Sequence, residues 1–176
     1  NAGSAEVRWF DSDGAFVRSA GAKGDGPGEF LGPDGVSRYP GDSVAVLDRR
    51  HGRVTIFDRN GTLGRTLTFD VNAPVDEVHV KGDGSFLVRV TPLEAMSGAV
   101  GRIRVPQDLL EFSPAGELRD RFVSLPGFET FVFERGDAQP PLRKESFVFL
   151  FSDAVVVGAA DDMAYDVYAQ DRRLQR

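Results

Sequence analysis

His51 and His79 are the whole imidazole supply of this 176-residue chain, and it has no cysteine. Without cysteine there is no thiolate nucleophile, no disulfide framework and no Cys-ligated zinc. His79 alternates with Val78 and Val80 and reads as a sheet residue. His51 follows Arg49 and Arg50 in a turn, where it could touch a ligand or stand as an ordinary solvated loop residue. Two such histidines do not build a three-His or two-His-carboxylate metal centre locally, so no metal and no cofactor is expected. Asp11-Ser12-Asp13-Gly14 begins like a calcium loop but lacks the third acid and the closing Glu. The same slot reads Asp58-Arg59-Asn60-Gly61 further on, so both read as turns. Gly24-Asp25-Gly26-Pro27-Gly28 has no following Lys-Ser or Lys-Thr and no helix N-terminus, which a phosphate cradle requires. Asp161 and Asp162 are adjacent, and on an extended chain adjacent side chains point to opposite sides. No Gly-x-Ser-x-Gly elbow is present, and no catalytic residue is assigned.

Charge narrows the partners. Lys plus Arg number 21 and Asp plus Glu 27, a net charge of −6, whereas a nucleic-acid surface needs clustered Lys and Arg. An apolar fraction of 41% with 27% charged residues is ordinary globular balance. No run approaches the ~18 apolar residues of a membrane span, so none is expected. The chain opens at Asn1 with no charged-then-apolar leader, so the true start is expected upstream.

The elements that would position any site are strands. Runs such as Ser43–Leu47, Arg53–Phe57, Ser85–Val88 and Ser146–Phe151 are rich in β-branched and aromatic residues and end in Gly, Asp, Asn or Pro clusters. Only Pro92 to Val100 is a candidate helix. A strand–turn–strand unit recurs at Phe10–Phe16, Phe57–Leu63 and Phe112–Leu118, with a degenerate copy at Tyr168–Leu174. Its leading aromatics lie 47, 55 and 56 residues apart. A period of roughly 40 to 50 residues made of four strands is that of a propeller blade.

On that period the chain divides into a half blade at 1–19, a blade at 35–69, a blade at 75–125 and an incomplete blade at 145–176. The first whole blade has strands near Gly35–Arg38, Ser43–Leu47, Arg53–Phe57 and Thr62–Phe69. The second has Glu77–Val80, Ser85–Val90, Leu109–Phe112 and Glu117–Ser124. The expected fold is all-β, a β-propeller of four-stranded antiparallel blades present as an incomplete arc of a longer one.

Lys23-Gly24-Asp25-Gly26-Pro27-Gly28-Glu29-Phe30, with Ser43 to Asp48 and Arg53-Val54 after it, resembles the NHL repeat over roughly Trp9 to Leu67. In that family a G-x-G-P-G-E-F loop precedes the first strand, a V-x-D element ends the second, and an Arg with a hydrophobic partner opens the third. The whole resembles bacterial six-bladed, NHL-like propellers, which implies that fold and an extracytoplasmic location.

Connection lengths place the expected function. Ala20–Pro33, Thr91–Arg104 and Pro126–Lys144 are the long connections, and a meander places all three on one face. Loops on a rigid scaffold are where binding usually sits. The third carries Phe128, Phe131 and Phe133, which either serve binding or extend a strand. The expected function is a non-catalytic scaffold holding a protein, peptide or glycan, with Arg50, His51, Phe128 and Arg135 as ligand-binding residues. The alternatives are a lyase- or hydrolase-type propeller enzyme whose site lies partly in blades outside this segment, and a structural spacer.

Overall fold

The structure is a computed structural model and describes residues 3–151, 154–161, 164–169 and 174–175. Strands make up 59% of it, helix is almost absent, and no sheet closes on itself. No helix among the described residues is long and apolar enough to cross a membrane.

The chain runs β1 (Val7–Phe10), β2 (Phe16–Ala20), β3 (Ala22–Lys23), β4 (Glu29–Phe30), β5 (Pro33–Tyr39), β6 (Ser43–Asp48), β7 (Arg53–Phe57) and β8 (Leu63–Thr68). It continues with β9 (Val75–Val80), β10 (Phe86–Val90), β11 (Gly101–Phe112), β12 (Leu118–Phe133), β13 (Gly136–Ala138), β14 (Ser146–Phe151), β15 (Ala154–Ala159), β16 (Tyr165–Tyr168) and β17 (Leu174–Gln175). The sheets are β1-β2, β5-β6-β7-β8, the five-stranded β13-β12-β11-β10-β9, and β14-β15-β16-β17. A two-residue parallel pair, β3-β4, lies outside them.

Two compact units carry the core. The first comprises Asn1–Asp70, Glu77–Phe86 and Phe112–Leu118. Here Val54 and Ile56 face one side of β7 while Thr55 and Phe57 face the other, and all four are buried. A strand covered on both faces reads as a continuous apolar run, whereas β8, at the sheet edge, is mostly exposed. Phe30, Val46 and Phe57 pack with Ala5 and Val7. Phe57 meets Trp9 edge-on at 6.4 Å, and Phe69 lies 4.8 Å from Phe112. The second unit comprises Val71–Asp76, Leu87–Glu111 and Arg119–Arg176. Its core is Leu87, Leu109, Leu125, Val148, Val155 and Val157, with Phe122 and Tyr168 packed edge-on at 5.3 Å beside it.

The recurring unit has one local cause. Phe10, Phe57, Phe112 and Tyr168 each close a strand. After the first three, the next side chain caps the turn: Asp11 accepts the amides of Asp13 and Ala15, Asp58 those of Asn60 and Thr62, Ser113 those of Ala115 and Glu117. The Thr62 amide holds the Asp58 carboxyl below its ordinary range, against the opposing pull of desolvation and with help from Asn60. Gly14, Gly61 and Gly116 take the left-handed conformation at the same turn position. Burial does not repeat so closely, because Phe10 is 57% exposed, with its ring edge-on to Phe16 at 6.0 Å. Positions 170–173 of the fourth copy, and Asp162 of the Asp161-Asp162 pair, lie outside the described residues.

Several expectations are corrected. Pro92–Val100 holds only one 3-10 turn, Leu93–Met96. The end of Thr91–Arg104 and much of Pro126–Lys144 are strand rather than loop, since β11 begins at Gly101, β12 runs to Phe133, and β13 returns on it. Pro126 opens the expected Pro126–Lys144 connection. Instead Gly127 sits inside β12 at φ +75°, where a Cβ would lie 1.7 Å from the Val105 carbonyl. Its amide is taken by the Ser146 hydroxyl, so the strand passes through the kink. Phe131 and Phe133 accordingly extend a strand.

Candidate functional site

Three residues of the β6–β7 hairpin hold the loop of residues 24–32. Asp48, at the end of β6, has no solvent exposure, and its carboxylate accepts the amides of Leu31 (2.9 Å) and Gly32 (3.1 Å). Arg53, opening β7, donates to the carbonyls of Asp25, Gly26 and Glu29 at 3.1, 3.0 and 2.7 Å. His51 lies between two acids, with Nδ1 2.7 Å from Asp48 and Nε2 2.7 Å from Asp25. Inside the loop, Glu29 accepts the Gly26 amide, and the Phe30 ring is driven into the core. Gly24, at φ +158°, has its Cα against the Glu29 carboxylate, where a Cβ would lie 2.1 Å from an oxygen.

Electrostatics follow from these contacts. Hydrogen bonds to Asp25 and then Asp48 raise the His51 pKa, outweighing desolvation and the Arg53 charge. Desolvation by itself would raise Asp48; the Leu31 amide, His51 and the Gly32 amide outweigh it and hold the carboxyl low.

Arg50 projects from the same turn, exposed, and its aliphatic stem covers Gly32, where a Cβ would stand 3.2 Å from the Arg50 Cγ. Arg50 and His51 are thus brought to one loop, but both His51 ring nitrogens are engaged by carboxylates. Phe128 and Arg135 lie in the other unit. The half-buried Phe128 ring carries the Arg143 guanidinium at 5.5 Å, and its backbone bridges Glu145. Arg143 in turn binds the Glu145 carboxylate, which fixes the stack. Arg135 is exposed in the two-residue turn joining β12 to β13. His79 pairs with Glu77, two residues back on β9, at 3.4 Å.

Sequence reading did not assign Asp25, Asp48 and Arg53 to the site. Asp48 and Arg53 stood in the NHL-like motif, but motif membership alone does not say that they close on one loop. Among the described residues no group of three or more His, Cys, Asp or Glu forms a metal site.

No protein-family model matches the chain, and no curated protein matches it. Solved structures are similar in backbone. One is a Bacteroides fragilis protein, provisionally described as exported: 14% identity, TM-score 0.45, covering 98% of this chain and 65% of that one. Another is a protein from Lactobacillus plantarum: 16% identity, TM-score 0.46, covering 99% of this chain and 50% of that one. The chain therefore spans about two thirds and one half of their lengths.

Proposed function

We propose that this chain is part of an NHL-like, six-bladed β-propeller of bacterial and extracytoplasmic kind, acting as a non-catalytic scaffold for a protein, peptide or glycan. The blades would run 35–69, 75–125 and, incompletely, 1–19 and 145–176. The observation that carries the reading is the clamped loop of residues 24–32. Asp48, His51 and Arg53 fix its backbone while Arg50 stays exposed beside it, and among the described residues that guanidinium has no partner. A charged group on a rigid loop binds at low ordering cost. The recurring capped turns support the blade assignment, since each of the first three copies repeats the same strand, side-chain cap and left-handed glycine.

Peptide and glycan arrays followed by calorimetry on the retained probe test this. Arg50→Ala or, for a probe held by the second unit, Phe128→Ala should weaken binding by about tenfold, the scale of one lost charged or aromatic anchor. Binding untouched by both substitutions, or chemical turnover of the probe, would overturn the reading.

A further inference from the structure

A cavity of about 210 Å³ opens in the second unit between β12 and the β15–β16 pair, lined by Ser124, Leu125, Pro126, Val157, Asp166 and Tyr168 among others. Pairing fixes which side chains face it. Asp166 lies across from Val157, and Tyr168 across from Val155, so these four share one face of the sheet. That is the core face, because Val155, Val157 and, from β12, Leu125 are buried there. Asp166 is thus a half-buried carboxylate on an apolar side, and among the described residues it has no hydrogen-bond or ion-pair partner.

The polar groups around Asp166 make contacts of their own, although among the described residues the buried Nη1 of Arg104 has no hydrogen-bond partner. The Ser124 hydroxyl donates to Asp108 at 2.6 Å. Arg104, beside the wall, gives Nε to the Pro126 carbonyl at 3.1 Å and pairs with Asp161 at 2.8 Å. Lys144 also pairs with Asp161, at 3.0 Å. The cavity therefore offers an anionic acceptor, an aromatic ring and an aliphatic floor, with no cation of its own on Asp166.

We propose that this cavity is a socket for the lysine or arginine side chain of a partner peptide. The aliphatic stem would lie on Leu125 and Val157, and the charged head would meet Asp166 beside the Tyr168 ring. Size favours a side chain over a free ligand, since whole-ligand pockets run to roughly 300–1,000 Å³. A neutral sugar could hydrogen-bond the carboxylate but would leave its charge uncompensated. The inference rests on the binding-scaffold reading and names one subsite of it.

Amide NMR titration of the chain tests it with four probes: the Nα-acetyl methylamides of lysine, arginine and norleucine, and methyl β-D-glucopyranoside. Lysine and arginine probes should give saturable shifts at Ser124, Gly158 and Asp166. The norleucine probe should bind at least about tenfold more weakly, the factor that a lost charge-assisted hydrogen bond sets. Asp166→Asn should lose the same factor, while Asp70→Asn should not. Equal binding of norleucine or the glucoside, no saturable shift at these amides, or lysine binding unchanged in Asp166→Asn would each overturn the proposal. The lysine–norleucine comparison needs no variant, so a misfolded mutant does not blunt the test. A probe that depends on Arg50 or Phe128 but ignores Asp166 would sink this socket and leave the scaffold reading standing.

Discussion

A neutral imidazole donates from only one of its two nitrogens, whereas the protonated ring donates from both. His51 faces a carboxylate at 2.7 Å on each side, so only the charged form satisfies both. Its pKa is raised, first by Asp25 and then by Asp48. Its stabilising contribution is therefore complete below the unfolded value near 6.5 and is lost as pH rises through the higher folded value. Asp48 has the opposite sense. Its pKa is lowered, so its contribution is complete above 3.8 and is lost as pH falls through the lower folded value. The clamp should be firmest between these limits. Denaturant midpoints measured from pH 4 to 9 should fall on the alkaline side in the wild type, and His51→Gln should flatten that fall. An alkaline limb identical in His51→Gln would show that another group carries it.

At the level of elements, the strands bordered by capped turns could be read in advance. Arg53–Phe57 ends where the sequence places it, because the Asp58 carboxylate caps the turn that follows, and Ser146–Phe151 has the bounds that the sequence places. Long-range closure decided the others. β11 and β12 extend each other past Pro106 and Pro126, residues that locally argue for loops. The short β3-β4 pair exists because Asp48 and Arg53 hold Gly24–Gly32 against the neighbouring hairpin, not because Ala22-Lys23 has strand character. Gly127 is the position on which the β12 extension depends. A Cβ there meets the Val105 carbonyl in a backbone conformation that disfavours L side chains. Gly127→Ala should cost about 3 kcal/mol of unfolding free energy, a combination of left-handed strain and steric conflict. Gly14→Ala, at a turn glycine with open space around its Cα, should cost clearly less. Equal losses in chemical denaturation would contradict this account of the kink.

At the scale of the whole molecule, pairs of exposed aromatics stand on the β1-β2 pair and on β14. Phe10 and Phe16 of the β1-β2 pair are 57% and 59% exposed, and Phe149 and Phe151 of β14 are 61% and 78% exposed. β14 is also a sheet edge, so free backbone groups lie beside exposed aromatics. That pairing favours association, and a net charge of −6 opposes it only in part. Light scattering behind size exclusion should report a mass that rises with concentration, and Phe149→Ser with Phe151→Ser should reduce the rise. A constant monomer mass at tens of micromolar would count against exposed β14 as a sticky edge.

The sequence by itself determined the all-β class, most strand positions and the repeated turn. Each depends on side chains acting within about five residues: an Asp or Ser that caps, a glycine that turns left-handed, and the alternation of apolar with polar positions. It also marked Arg50 and His51 as neighbours in one exposed turn. Tertiary structure alone decided that His51 closes a bridge between Asp25 and Asp48, that Arg53 collects three carbonyls from a loop some 25 residues away, and that Asp166 faces an apolar wall with no partner among the described residues. These outcomes depend on which residues meet across strands distant in sequence. A spacing of charges along the chain carries no record of that meeting, because pairing register and burial are set by the packed core.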